Sequence, residues 1–121
     1  MTDSSPFDAQ ITFVYVSELD RSAAFYGHVL DLELVRDQGA CQIYRVATDA
    51  YIGVCDHRVA EPGGVILTLV ADDVDHWADR LGAAGYRVDG PHANARFGIY
   101  HCFVHDPDGH LVEIQRFDEP L

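Results

Sequence analysis

The chain has 121 residues, 48% of them hydrophobic, which is enough for one domain with a real core and excludes a disordered chain. Twenty acidic residues stand against eight basic ones, every one of them Arg, for a formal net charge of −12. So acidic a surface repels phosphate backbones and sets nucleic acid aside as a partner, and no apolar run approaches the ~20 residues that would engage a membrane by spanning it.

In chain order, Met1–Asp8 is polar and acidic and lacks the basic and apolar regions of a secretion signal, so a cytoplasmic location is expected. Val14-Tyr15-Val16 alternates as a strand, meets Ser17-Glu18-Leu19-Asp20, and leads into a helical segment around Ala23, Phe25, Tyr26 and Leu30. Strand-like runs follow at Leu32–Val35, Gln42–Val46 and Tyr51–Cys55. Gly63-Gly64 marks a joint. Leu69-Val70-Ala71 then meets Asp72-Asp73-Val74-Asp75 and a second helical segment around Trp77, Ala78, Leu81 and Ala84, which Gly85 is placed to stop in the left-handed conformation. Further strand-like runs lie at Arg87–Val88, Ile99–His105 and Leu111–Gln115. The helix spacing assigns Trp77 to core or dimer packing with Leu81. Each half therefore reads β-α-β-β-β. The expectation is one α+β domain over 1–121, built from two βαβββ modules at about 9–60 and 64–117 that form an open, cleft-bearing sheet. A generic α+β domain of ferredoxin-like type shares this grammar.

The three cysteines, Cys41, Cys55 and Cys102, contain no C-x-x-C pair, which argues against a zinc knuckle and for reduced, half-buried thiols.

The densest local signal is Phe103-Val104-His105-Asp106-Pro107-Asp108-Gly109-His110-Leu111-Val112-Glu113-Ile114. Pro107 presets the turn and Gly109 supplies the positive φ that closes it, so two strands are joined in a tight hairpin. Beyond the turn, Leu111, Glu113 and Gln115 share one face and Val112 and Ile114 the other. A carboxylate is thereby presented on a mostly apolar face, where it needs a partner.

This hairpin, together with Ser17-Glu18-Leu19-Asp20-Arg21-Ser22-Ala23-Ala24-Phe25-Tyr26 and Val29-Leu30-Asp31-Leu32, resembles the vicinal oxygen chelate superfamily of glyoxalase I, extradiol dioxygenases, fosfomycin-resistance enzymes and bleomycin-resistance proteins. Here Glu18 replaces an Asp and Asp31 a Gly of the pattern. The resemblance spans about residues 11–116 and implies four metal positions, one on each of four cleft-facing strands. Counted onto this chain they fall on Ile11, Gly53, Ile66 and Glu113. Ile and Gly offer no lone pair, and one carboxylate is short of the three protein ligands of a catalytic site. Shifting the register to reach Gln10 would turn that side chain to the opposite face. His101 and His105 share a face with Glu113 but stand about 13 Å apart along a strand at ~3.3 Å per residue, so they do not serve one ion. No metal and no cofactor is expected.

The same alternation gives the rest of the cleft face: Phe13 and Tyr15 with Ile11; Tyr51 and Cys55 with Gly53; Ile66 and Thr68; Ile99, His101, Phe103, Leu111, Glu113 and Gln115. Phe13, Tyr15, Tyr51 and Phe103 are suited to stack on a planar or cationic ligand, and Glu113 to pair with an amine. A core or dimer interface is the plain alternative for the aromatics, and a salt bridge to Arg45 or Arg96 for Glu113. His101 is either a general base or a structural hydrogen-bond partner. Pro91–Gly98 resembles the family's variable loop, with Arg96 and Phe97 as rim contacts. The expected function is metal-independent binding of an aromatic or cationic small molecule in the cleft of a homodimer, resembling the bleomycin-resistance branch. The alternatives are a glyoxalase-, dioxygenase- or lyase-type enzyme with His101 and Glu113 as acid and base, and an interaction domain whose cleft is filled by its own side chains.

Overall fold

The computed structural model describes residues 5–121, so the expectation for Met1–Asp8 lies partly outside the described residues. The elements are β1 (Gln10–Tyr15), α1 (Leu19–Ser22) running into a π-helical stretch over Ala23–Val29, β2 (Glu33–Asp37), β3 (Cys41–Ala47), β4 (Ala50–Cys55), β5 (Ile66–Val70), α2 (Val74–Ala83), β6 (Asp89–Asn94), β7 (Ile99–His105) and β8 (Leu111–Phe117). They form two four-stranded sheets of identical topology, ordered β1-β4-β3-β2 and β5-β8-β7-β6. In each, the strand before the helix pairs in parallel with the last strand of its half, β1 with β4 and β5 with β8. The internal repeat is therefore real, and each half is a βαβββ module.

Strand parity sends one side of both sheets into a common core. Val14 and Val16 enter it from the first sheet's leading strand and its exit, Ile52 and Val54 from β4, Cys102 and Val104 from β7, and Val112 and Ile114 from β8. The helical segments close over them with Phe25, Tyr26 and Leu81, each 0% exposed. Burial of one such side chain is worth about 1.5–3 kcal/mol, so these three anchor the helices to the sheets. Trp77 packs at the margin of this core, with the Arg80 guanidinium over its ring.

Local chemistry accounts for the element ends. Asp73 caps α2 by accepting from the His76 amide, and Gly85, at φ 95°, ends it as expected. The first helix departs from expectation: Leu30 N–H donates to the Phe25 carbonyl, five residues back, and Asp31 follows at φ 57°. Asp tolerates that left-handed conformation better than most residues, which lets it stand where the family pattern has Gly.

The final turn also ties the modules together. Asp106 accepts from Tyr26 Oη at 2.7 Å and from the amides of Asp108 and His110, both at 2.9 Å. Asp108 accepts from the Ser17 amide at 3.0 Å and from its hydroxyl, and His110 Nε2 donates to the Tyr15 carbonyl at 2.7 Å. Burial and the Asp106 carboxylate together push the Tyr26 hydroxyl far above the usual tyrosine range.

Two expectations are corrected. The strand expected at Arg87–Val88 begins instead at Asp89 and runs through Asn94, so half of the expected loop Pro91–Gly98 is sheet. Pro91 is tolerated there because β6 is an edge strand with no further ladder to feed. Cys41 and Cys55 are disulfide-bonded, not reduced, because β3 and β4 pair them directly across the ladder; only Cys102 is a free, buried thiol.

Candidate functional site

Away from the core, the other faces of the two sheets carry the residues that parity assigned to the cleft. Glu113 sits on β8, a central strand, opposite Phe103 on β7 and Thr68 on β5. It is 7% exposed, and its carboxylate is fully engaged. Thr68 Oγ1 donates to Oε1 at 2.8 Å and His101 Nδ1 to Oε2 at 2.6 Å. The Gln115 amide, with its nitrogen turned inward, donates to Oε2 at 2.9 Å and Oε1 at 3.3 Å. These three donors meet the need of a buried carboxylate for partners. The expected alternatives, Arg45 and Arg96, are engaged elsewhere: Arg45 with Glu33 and Arg96 over Phe97. Because a carboxylate only accepts, His101 carries its hydrogen on Nδ1, and Nε2 has no hydrogen-bond partner among the described residues. The Phe103 ring meets His101 edge-on, with centroids 4.9 Å apart.

The four positions assigned to metal ligands do not fit an ion. Ile11 is 40% and Ile66 50% exposed, with apolar side chains. At Gly53 the space for a side chain is already filled, since a Cβ there would overlap Cδ1 and Cε1 of the Phe13 ring. Glu113 spends its lone pairs on Thr68, His101 and Gln115. Among the described residues these four positions offer one carboxylate, short of the usual three-ligand set.

The other expected site residues are spread over the face. An open cavity of about 890 Å³ is lined by Phe103, His105 and Leu111, with Arg87, Val88 and Asp89 as its wall. Tyr51 lines a second, of about 430 Å³, with Ile66 and Thr68, and Phe13 and Tyr15 line a third, of about 160 Å³, with Glu61 and Val65. His101 and Glu113 line none of the three but lie beneath the face. Three of the aromatics already carry an arginine: Arg45 lies 5.3 Å from the Tyr51 centroid, Arg58 5.8 Å from Tyr15, and Arg96 5.1 Å from Phe97. Each of those rings has one side approached by the protein's own cation, whereas among the described residues no arginine lies over Phe13, 49% exposed, or Phe103. The edge strand starts at Asp89, two residues later than expected, and Arg87 and Val88 just ahead of it join Asp89 in the cavity wall; Pro91 is the residue that marks this strand as an edge.

Residues 9–114 match the Glyoxalase/Bleomycin resistance protein/Dioxygenase superfamily. Over 119 residues the chain is 29% identical to a probable lactoylglutathione lyase of Vibrio cholerae, covering 85% of this chain and 86% of that protein. The crystal structure of TnmS3, an antibiotic binding protein from Streptomyces sp. CB03234, superposes with a TM-score of 0.77 at 28% identity, over 96% of this chain and 98% of that one. Lactoylglutathione lyase from Agrobacterium tumefaciens superposes with a TM-score of 0.74 at 26% identity, over 93% and 96%. With the paired βαβββ sheets and the closing hairpin in place, the chain belongs to the glyoxalase/bleomycin resistance protein/dioxygenase superfamily.

Proposed function

We propose that this protein binds an aromatic or cationic small molecule on the cleft face of its sheets and holds no metal at the superfamily's metal position. The observation that carries this reading is the engaged state of Glu113, together with a Gly53 whose side-chain space is filled by Phe13. What remains on the face is apolar and aromatic with a few polar groups, the composition of a small-molecule site. The cavity walled by Phe103, Leu111 and His105 is its receiving part: Phe103 offers a stacking surface, while Asp89 and Arg87 offer opposite charges at the edge. Likeness to TnmS3, an antibiotic binding protein, supports the binding reading. No helix of the described residues is long and apolar enough to cross a membrane. Exposed Ile11, Phe13, Val65 and Ile66 would be covered in a homodimer, whose mass light scattering would report.

The test is calorimetric titration of chelator-dialysed protein with planar aromatic and cationic natural-product antibiotics. Micromolar or tighter binding that survives chelation and weakens at least tenfold in Phe103→Ala is expected, about 1.4 kcal/mol. Metal-stimulated turnover of a hemithioacetal or a catechol would overturn the reading.

A second reading is favoured by one observation, the His101–Glu113 pair at 2.6 Å with Nε2 unengaged, which is the arrangement of an oriented general base. On that reading Glu113→Gln leaves substrate binding nearly intact and collapses kcat.

A further inference from the structure

We propose that Cys41, Cys55 and His57 form a second site, a zinc-binding site that a disulfide closes and a small-molecule thiol opens. It lies on the first sheet, whereas Glu113 is on the second, and it does not depend on the ligand-binding reading.

The register of β3 and β4 sets Cys41 against Cys55 with their Cα atoms 4.1 Å apart. Asp56 N–H donates to the Ala40 carbonyl on the flanking rung, so the two cysteines form a pair without ladder bonds between them, where side chains stand closest. Two residues beyond Cys55, His57 folds back and brings Nδ1 to 3.9 Å from Cys41 Sγ. The two sulfurs and an imidazole nitrogen all lie within 4.8 Å of one another. Tetrahedral zinc, with Zn–S of about 2.3 Å and Zn–N of about 2.0–2.1 Å, needs its ligand atoms roughly 3.5–3.8 Å apart. The sulfur-to-nitrogen distance of 3.9 Å is a few tenths of an ångström wider than that geometry, within reach of a small turn of the exposed His57 side chain, and opening the disulfide lets the two sulfurs relax apart by rotation about their side chains.

The surroundings support such a site. Cys55 is buried, Cys41 is half-buried and His57 is exposed, so the set reaches from the end of β4 to the protein surface. The His57 ring is held by the edge of Tyr15, with centroids 5.5 Å apart and planes at 85°. Two thiolates and an imidazole are a soft donor set that selects zinc over magnesium or calcium. Three protein ligands leave the fourth position to water.

The switching step balances as thiol–disulfide exchange. A small thiolate attacks one sulfur of the Cys41–Cys55 bond, which breaks to give a mixed disulfide and one cysteine thiol; a second thiol releases the other cysteine and leaves as the small-molecule disulfide. Two external thiols are oxidised and two cysteines reduced. On metal binding the two cysteines lose their protons to solvent and ligate as thiolates. In a reducing compartment a disulfide of this kind is transient, which is the condition for a switch.

The test uses the full chain, oxidised or reduced and freed of reductant, titrated anaerobically with Co²⁺ as the spectroscopic probe and with Zn²⁺ against a chromophoric chelator. The reduced protein is expected to take up one equivalent, with the visible bands of tetrahedral thiolate-ligated cobalt, and the oxidised protein none. Cys41→Ser is expected to abolish uptake. His57→Ala, at an exposed position that leaves the fold intact, is expected to weaken it at least tenfold. Absence of uptake by the reduced chain would overturn the proposal. So would unchanged affinity in either variant, or a metal lost in Glu113→Gln but kept in Cys41→Ser.

Discussion

Replacing Gly53 with alanine tests directly why this sheet face has no room for a second metal ligand. In the middle of a strand, Gly→Ala alone is favourable by about 0.5–1 kcal/mol, through reduced freedom of the unfolded chain. Here the added Cβ would overlap Cδ1 and Cε1 of Phe13, so the ring must swing off the strand. Phe13 is 49% exposed, so about half of the ~1.5–3 kcal/mol available to a buried side chain is at stake, near 1 kcal/mol. An off-rotamer side chain or a shifted strand adds about 0.5–1.5 kcal/mol. The clash outweighs the propensity gain, and Gly53→Ala is expected to destabilise by about 1 kcal/mol. Removing the ring removes the clash, so in a Phe13→Ala background the same change is expected to be neutral or stabilising by up to about 1 kcal/mol. Urea unfolding of the four proteins in this cycle reads the coupling, with an unchanged m-value as the sign that only stability moved. A stabilised Gly53→Ala in the Phe13 background, or a coupling indistinguishable from zero, would refute the reasoning.

The remaining predictions concern the two buried carboxylates and the tyrosine. Asp106→Ala strands two amides and the Tyr26 hydroxyl, and is expected to cost about 3–5 kcal/mol against about 1–2 for Tyr26→Phe, measured by denaturant unfolding. Thr68→Val removes one donor from Glu113 and is expected to cost about 1–2 kcal/mol by the same measurement. Burial, and then Asp106, raise the Tyr26 pKa on folding, so above pH about 10 the unfolded chain releases a proton that the folded chain keeps. Stability is therefore expected to fall as pH rises past 10, by up to about 1.4 kcal/mol per unit from this group, and Tyr26→Phe is expected to flatten that fall.

Most of the fold is written locally. The strand parity of Val14, Val16, Ile52, Val54, Val112 and Ile114 is simple alternation, and both modules share one strand–helix grammar, so the core face and the paired sheets follow from the sequence. The hairpin at Asp106–Gly109 carries its turn chemistry in its own residues, and Gly109 stands at φ 91°. The features not visible in advance depend on register between distant segments. Cys41 meets Cys55 only because β3 and β4 pair in one register, and a one-residue slip would turn the two thiols to opposite faces. Glu113 finds His101 and Thr68 on neighbouring strands, 12 and 45 residues away, where sequence pointed to Arg45 or Arg96. The pairing of Arg45, Arg58 and Arg96 with aromatic rings likewise depends on where long side chains reach after folding. Parity could place residues on a face but could not divide that face into separate cavities.

The central claim is that Glu113 serves its neighbours and no metal. Calorimetric titration of the disulfide-intact protein with Ni²⁺, Zn²⁺, Mn²⁺ and Fe²⁺, alongside Glu113→Ala, tests it most directly. The account predicts no saturable site tighter than roughly 10 µM, about 7 kcal/mol of binding free energy. A stoichiometric metal bound by the parent chain and lost in Glu113→Ala would contradict it.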